Sequence, residues 1–323
     1  MAPGVGLAQE VVAPDEAAVT AQFIAFLKSA TEKRYQSGQR RRFNQARATA
    51  CVNAELTVLD GLSPDLRVGL FATPRQYSAR IRFANASSAT DRDRDIRGMS
   101  VRVLGVEGPN LTPGATVQDF VLNSHPVMMA ADARGFMELL QANEAGGFAR
   151  AMYFLRHPAA LRIALSSRTH ASCHLDLPYW SATPYLFGPD RAVKYIVVPA
   201  TTRRSPMPHP LTDNYLQDAM RARLTGADAT FEFMVQFQTD SRRMPIEDAS
   251  VEWKQDESPY VPVARIHIPP QPFEDAANVA ACEQMAFNPW QCLPEHRPLG
   301  SMNRARREIY QAMAAFRAET VPA

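Results

Sequence analysis

The 323-residue sequence predicts an α+β fold: one closed β-barrel, with helices between its strands and a helix at its C-terminal end. Three observations carry this prediction. Segments of alternating apolar and polar residues fall into two blocks, one ending near residue 124 and one starting at residue 192. Segments with apolar residues at helical spacing lie between the blocks, inside the second and after it. The 25 prolines are spread through connections and mark no single linker, and 46% hydrophobic residues suffice for one sizeable core.

The elements follow in order. Residues 1–14 read as a loose tail, and DEAAVTAQFIAFLKSATEK (15–33) as an amphipathic helix with acidic residues at its start. A basic stretch, QRRRFNQAR (39–47), comes next. From about 51 to 124 the chain reads as strands joined by turns, clearest in YSARIRFAN (77–85), MSVRVLGV (99–106) and VQDFVLN (117–123). Residues 132–167 read as helices. Strands return at 192–201, 230–240 and 263–270, with a helix at 211–224 between the first two. SMNRARREIYQAMAAFRAE (301–319) is the final helix. The expected organisation is a tail and helix over 1–34 and a single domain over 35–323.

Composition excludes several classes. Lys+Arg is 35 against 33 Asp+Glu, so no global basic field calls for nucleic acid. Only Lys28, Lys33, Lys194 and Lys254 are lysines, leaving 31 arginines; beyond base composition, some of these are suited to hold fixed anions. No run of 18 apolar residues exists, so no spanning helix is expected. The N-terminal residues lack the pattern of a secretory signal. Cys51, Cys173, Cys282 and Cys292 make no disulfide framework, and Cys282 and Cys292 read as buried thiols. The expectation is a reduced, cytoplasmic protein.

Most motifs of catalysis are missing: no GxxxxGK[ST], no GxGxxG after a strand, no HExxH and no GxSxG. His170 and His174 have helical ligand spacing, but no further ligand is near in sequence. Asp91, Asp93 and Asp95 alternate with Arg92, Arg94 and Arg97 and read as a solvated loop tied by ion pairs. In the last helix, Arg306 and Tyr310 share a face at i,i+4, with Arg317 seven residues further on. An arginine beside a tyrosine favours the phenolate, which is a ligand for ferric iron.

These residues gain meaning from their order with other segments. From about Arg42 to Arg317 the chain resembles the haem catalase superfamily, and most of all its short, catalase-related members. RRFNQARA (41–48) stands where catalases have R-x-x-H-A-[KR]-G. ARIRFAN (79–85) is similar to the A-R-F-S strand, and DRDIRGMSVRV (93–103) to the D-x-R-G strand. DFVLNSHPV (119–127) sits where the family has its N-x-P-V segment, FNPWQCLPEHRPLG (287–300) resembles the segment before the proximal helix, and RREIY (306–310) fits the R-x-x-x-Y motif. The resemblance implies an antiparallel barrel of about eight strands in a single catalase-like haem-binding domain, with haem b beside the barrel. Tyr310 is then the proximal iron ligand, and Arg306 holds it as phenolate. Arg42, Arg82 and Arg317 fall near the haem propionates, and Phe136 falls where an aromatic ring flanks the haem.

The distal side departs from the family. The essential histidine falls on Gln45 and its supporting serine on Ala84. The distal asparagine falls on Ser124, with Asn123 next to it. The paired phenylalanines are Met128 and Met129, and Asn44 is polar, as at this position in the allene oxide synthases of the superfamily, which keep the histidine. A glutamine amide does not exchange a proton near pH 7, and general acid–base groups contribute roughly 10²–10⁴-fold. The expectation is a haem-dependent enzyme with little catalase turnover. Its substrate is expected to be small and organic, such as a lipid hydroperoxide or a biosynthetic intermediate. Two alternatives stand: a weak catalase or peroxidase using His125 or a water held by Gln45, and a non-catalytic haem-binding protein. A homodimer is the expected assembly, since oligomers are usual in the superfamily.

Overall fold

The computed structural model describes residues 6–319. Strands β1 (Ala48–Val58), β2 (Gln76–Asn85), β3 (Arg97–Leu104) and β4 (Val117–Asn123) form an antiparallel meander. After three helices come the short β5 (Tyr179–Trp180) and β6 (Tyr185–Leu186), then β7 (Ala192–Pro199), β8 (Ala229–Phe237) and β9 (Val261–Ile268). Strand β9 pairs back onto β1, and β5 pairs with both β4 and β7. Eight strands thus close into an antiparallel barrel, and β6 adds a short pairing on β7. Closure leaves the long strands without a free edge.

Period-2 alternation sorts the strand residues onto two faces. Inward go Val52, Leu56, Ile81, Phe83, Val101, Phe120, Tyr195 and Phe233, all fully buried. Phe120 packs edge-on against Tyr195 and Phe233, with ring centroids 4.9 and 4.8 Å apart. Outward, one transverse row is Cys51–Arg82–Ser100–Val121, and the row Ala84–Gly98–Asn123 lies two residues away. These rows face the site.

The helices are α1 (Glu16–Arg34), α2 (Ala133–Ala145), α3 (Gly147–Arg156), α4 (Pro158–Ser167), α5 (Tyr215–Gly226), α6 (Ala276–Gln284) and α7 (Ser301–Ala318). A second core joins α1, α2 and α7 through Phe23, Leu27, Met137, Leu140, Ile309, Met313 and Phe316. In α7 the buried positions 302, 305, 309, 313 and 316 recur every three or four residues, which is one helical stripe. Its first turn is held by Arg304, which pairs with Glu10, Glu16 and Glu247.

Several expectations need correction. Residues 1–5 lie outside the described residues, but the rest of the tail is tied down: Ala8 N donates to Gln238 Oε1 at 2.7 Å, and Glu10 accepts from Gly300 N at 2.8 Å. Cys282 is not a free thiol but is disulfide-bonded to Cys51, 231 residues earlier. The pairing joins β1 to α6, a helix the periodicity did not reveal, and it overturns the reading of a fully reduced chain; Cys173 and Cys292 are the buried free thiols. The acidic–basic loop is not wholly solvated. Asp91, Asp95 and Arg97 are buried in a network in which Asp91 accepts from Asn85 Nδ2 and Leu216 N, and Asp95 from Ser87 N and Ser88 N. His174 Nδ1 lies 3.1 Å from Tyr179 Oη in the interior, whereas His170 is exposed, so the two share no face.

Candidate active site

A cavity of about 310 Å³ lies between the outer face of β2–β4 and helices α1, α2 and α7. Arg82, Ser100, Val121 and Asn123 reach it from the two outward rows. Helix α7 presents Ala305, Arg306, Ile309, Tyr310, Met313 and Arg317 to it, the i, i+4, i+8 face of the helix and its flanks. Arg42, Asn44 and Gln45 enter from the loop before β1, Met128 and Met129 from the segment leading into α2, and Phe136 from the first turn of α2 itself. Nine of the ten site residues expected from sequence therefore line one cavity. The tenth, Ser124, does not: its Oγ accepts from Arg97 N at 2.9 Å and pins the ends of β3 and β4 together. His125 is also absent from the lining; its backbone N donates to Asn123 Oδ1 at 2.9 Å. Burial pushes its ring below the usual histidine range.

Charge is concentrated at one end. Arg42 donates to Glu283 Oε2 at 2.7 Å, and Arg82 contacts Glu283 Oε1 at 3.2 Å. Burial, then the neighbouring Arg42, push both Arg82 and Arg317 down to about 10, still charged at neutral pH. Arg317 makes no hydrogen bond or ion pair among the described residues, and Arg82 Nε is buried without a partner. Three crowded guanidiniums thus face a single carboxylate. Two further acceptor groups, such as the propionates of a haem, fit this cluster.

Beside this cluster the lining carries amides and thioethers, from Asn44, Gln45, Asn123, Met128 and Met129. Gln45 takes a left-handed backbone, φ 53°, held by its N donating to Ala86 O and its O accepting from Arg82, both at 2.8 Å. Its side chain lies over Gly98, where a Cβ would come within 2.6 Å of Gln45 Cδ. Glycine at 98 and alanine at 84, in the same row, leave the room that the amide fills. Asp95 also borders the cavity, but its carboxylate already accepts from Ser87 N, Ser88 N and Ile96 N. Tyr310 makes no hydrogen bond among the described residues. Arg306, one turn away, donates to Thr183 Oγ1 at 3.2 Å and Asn303 Oδ1 at 3.0 Å rather than to the phenol.

Sequence reasoning missed three parts of this site. Phe23 and Leu27 make α1 a wall of the cavity, so a boundary at residue 34 cuts off part of its lining. Glu283 is the counter-ion of the arginines, and Arg168 lines the cavity from the end of α4. None carries a motif. For α1, the apolar stripe was the available signal.

No protein-family model and no curated relative matches the chain by sequence. Solved structures do match. A fungal catalase at 1.9 Å resolution has TM-score 0.71 at 14% identity, over 98% of this chain and 66% of its own. A bacterial catalase gives 0.69 at 15% identity, over 98% and 64%. Catalase A from Saccharomyces cerevisiae gives 0.71 at 16% identity, over 98% and 67%. The chain spans about two thirds of the length of these proteins, and over that span it has the catalase fold, a closed eight-stranded antiparallel barrel with helices around it.

Proposed function

We propose that this chain is a short catalase-like haem enzyme that acts on an organic hydroperoxide and turns over hydrogen peroxide poorly. One observation carries the reading. The cavity has the cationic cluster and the tyrosine that a haem needs, while its lining also carries Gln45, Asn44, Asn123, Met128 and Met129. Arg42, Arg82 and Arg317 would hold the propionates of haem b, and Tyr310 would supply the protein ligand to its iron. Haem, when bound, supplies an iron centre that cleaves peroxide O–O bonds.

Dismutation of hydrogen peroxide requires a group that takes a proton from one oxygen and returns it to the other. The amides of Gln45, Asn44 and Asn123 do neither near pH 7, and Asp95 is committed to backbone donors. The amides are suited instead to orient a polar group by hydrogen bonds. Met128 and Met129 give an adaptable apolar surface for an alkyl chain. The methionines, Phe136 and Leu140 favour a substrate with a hydrocarbon part.

The test is an absorption spectrum of purified protein, followed by titration with a fatty-acid hydroperoxide and, separately, hydrogen peroxide. A haem band lost in Tyr310→Phe, together with consumption of the organic hydroperoxide, is expected. Fast oxygen evolution from hydrogen peroxide, or no consumption of fatty-acid hydroperoxide, overturns the reading.

A further inference from the structure

We propose that α3 and α4 form a docking surface for an anionic phospholipid bilayer. Both helices bury little: Tyr153 from α3, and Ala160 and Ser167 from α4. Their outer faces are apolar. Phe148 is 82% exposed, Leu155 74% and Leu165 72%, the three most exposed large apolar side chains among the described residues. Phe148 and Leu155 are two turns apart on one face of α3, and Leu161 and Leu165 one turn apart on α4. Such a cluster on a protein surface marks an interaction site.

The charge around it is of one sign. From residue 145 to residue 175 the chain has no carboxylate, while Arg150, Arg156, Arg162 and Arg168 are all exposed. None of the four makes an ion pair with a described residue; Arg168 only donates to Ser87 Oγ at 3.2 Å. Exposed Phe and Leu flanked by unpaired arginines is the composition of a helix that lies in a membrane interface, apolar face down and cations at the phosphates. The same charge argues against a second copy of this chain. A two-fold contact sets the patch against itself, arginines against arginines, with no carboxylate of the segment to separate them. Arg168 also lines the cavity, so a docked bilayer lies near it. Docking itself does not depend on the chemistry proposed for the cavity; only delivery of a lipid substrate rests on that reading.

The experiment is co-sedimentation of the full chain with vesicles of phosphatidylcholine alone, and of about three parts phosphatidylcholine to one part phosphatidylglycerol. Binding to the mixed vesicles is expected, with about a tenfold or greater loss on pure phosphatidylcholine or at high salt. Two variants separate the contributions: Phe148→Ser with Leu155→Ser and Leu165→Ser, and Arg150→Gln with Arg156→Gln and Arg162→Gln. Each is expected to lower partition about tenfold or more while circular dichroism stays unchanged, since every position is exposed. No partition of the wild type, or full partition of both variants, overturns the proposal. So does a dimer in sedimentation velocity that the apolar variant dissolves, which assigns the face to a second copy.

Discussion

In the proposed function, Gln45 is the residue on which the chemistry would turn. It is held in an unusual backbone conformation by Ala86 and Arg82, and it sits over Gly98 with Ala84 alongside. Placing a base there needs both the imidazole and a partner to orient it. Gln45→His combined with Ala84→Ser is expected to raise oxygen evolution from hydrogen peroxide by roughly 10²-fold or more over the wild type, and Gln45→His alone by less. Equal rates in all three proteins remove the missing base from the proposed account of peroxide turnover. At the cationic end, Arg317 has no partner among the described residues, so its charge is free for a ligand. Arg317→Leu is expected to weaken haem affinity about tenfold, read as faster transfer of haem to an acceptor globin. Unchanged transfer removes Arg317 from the cofactor's contacts. Gln45 and the arginines that line the cavity were legible in the sequence because their segments keep a recognisable order. The choice between Ser124 and Asn123 was not, because adjacent strand residues point to opposite faces and only the register says which faces out.

Among the elements, α7 positions Tyr310, Arg306 and Arg317 together. Its entry depends on Gly300, which has φ +84° and lies against Ile246 O, where a Cβ has no room. Gly300→Ala is expected to cost about 1–3 kcal/mol and to lower haem occupancy, measured by thermal unfolding and by the haem-to-protein absorbance ratio. A destabilised variant with full occupancy shows that α7 moves as a unit without disturbing the site. The apolar stripe made α7 readable before its packing was known. Helix α6 was not readable, because it buries almost nothing but Cys282, and a helix without an apolar face leaves little periodic signal.

For the whole molecule, buried histidines set the response to acid. His296 accepts from Leu70 N through Nε2 at 3.0 Å and reaches Tyr195 Oη through Nδ1 at 3.1 Å, so it is held neutral. Burial pushes it down to about 4 and His174 to about 3, from an ordinary value of 6.5. Between those values and 6.5 the unfolded chain binds protons that the folded chain does not, so stability rises with pH across this window and is lost as pH falls through it. Each histidine contributes a slope of about 1.4 kcal/mol per pH unit at most. Urea unfolding at pH 7 and pH 5 is expected to show a smaller difference for His296→Gln than for the wild type; the same difference in both removes His296 from the acid response.

By itself the sequence determined the two blocks of strands, the helices between and after them, and the spacing of Arg306, Tyr310 and Arg317 along the last helix. These depend on local periodicity and residue order, which survive in a linear string. The tertiary structure decided what no local pattern carries. It closed the barrel through β5, brought Cys51 to Cys282, set Glu283 between Arg42 and Arg82, and made α1 a wall of the cavity. Each of these joins residues far apart in the chain, and their proximity follows from barrel closure and from the burial of apolar faces that only a folded chain brings together.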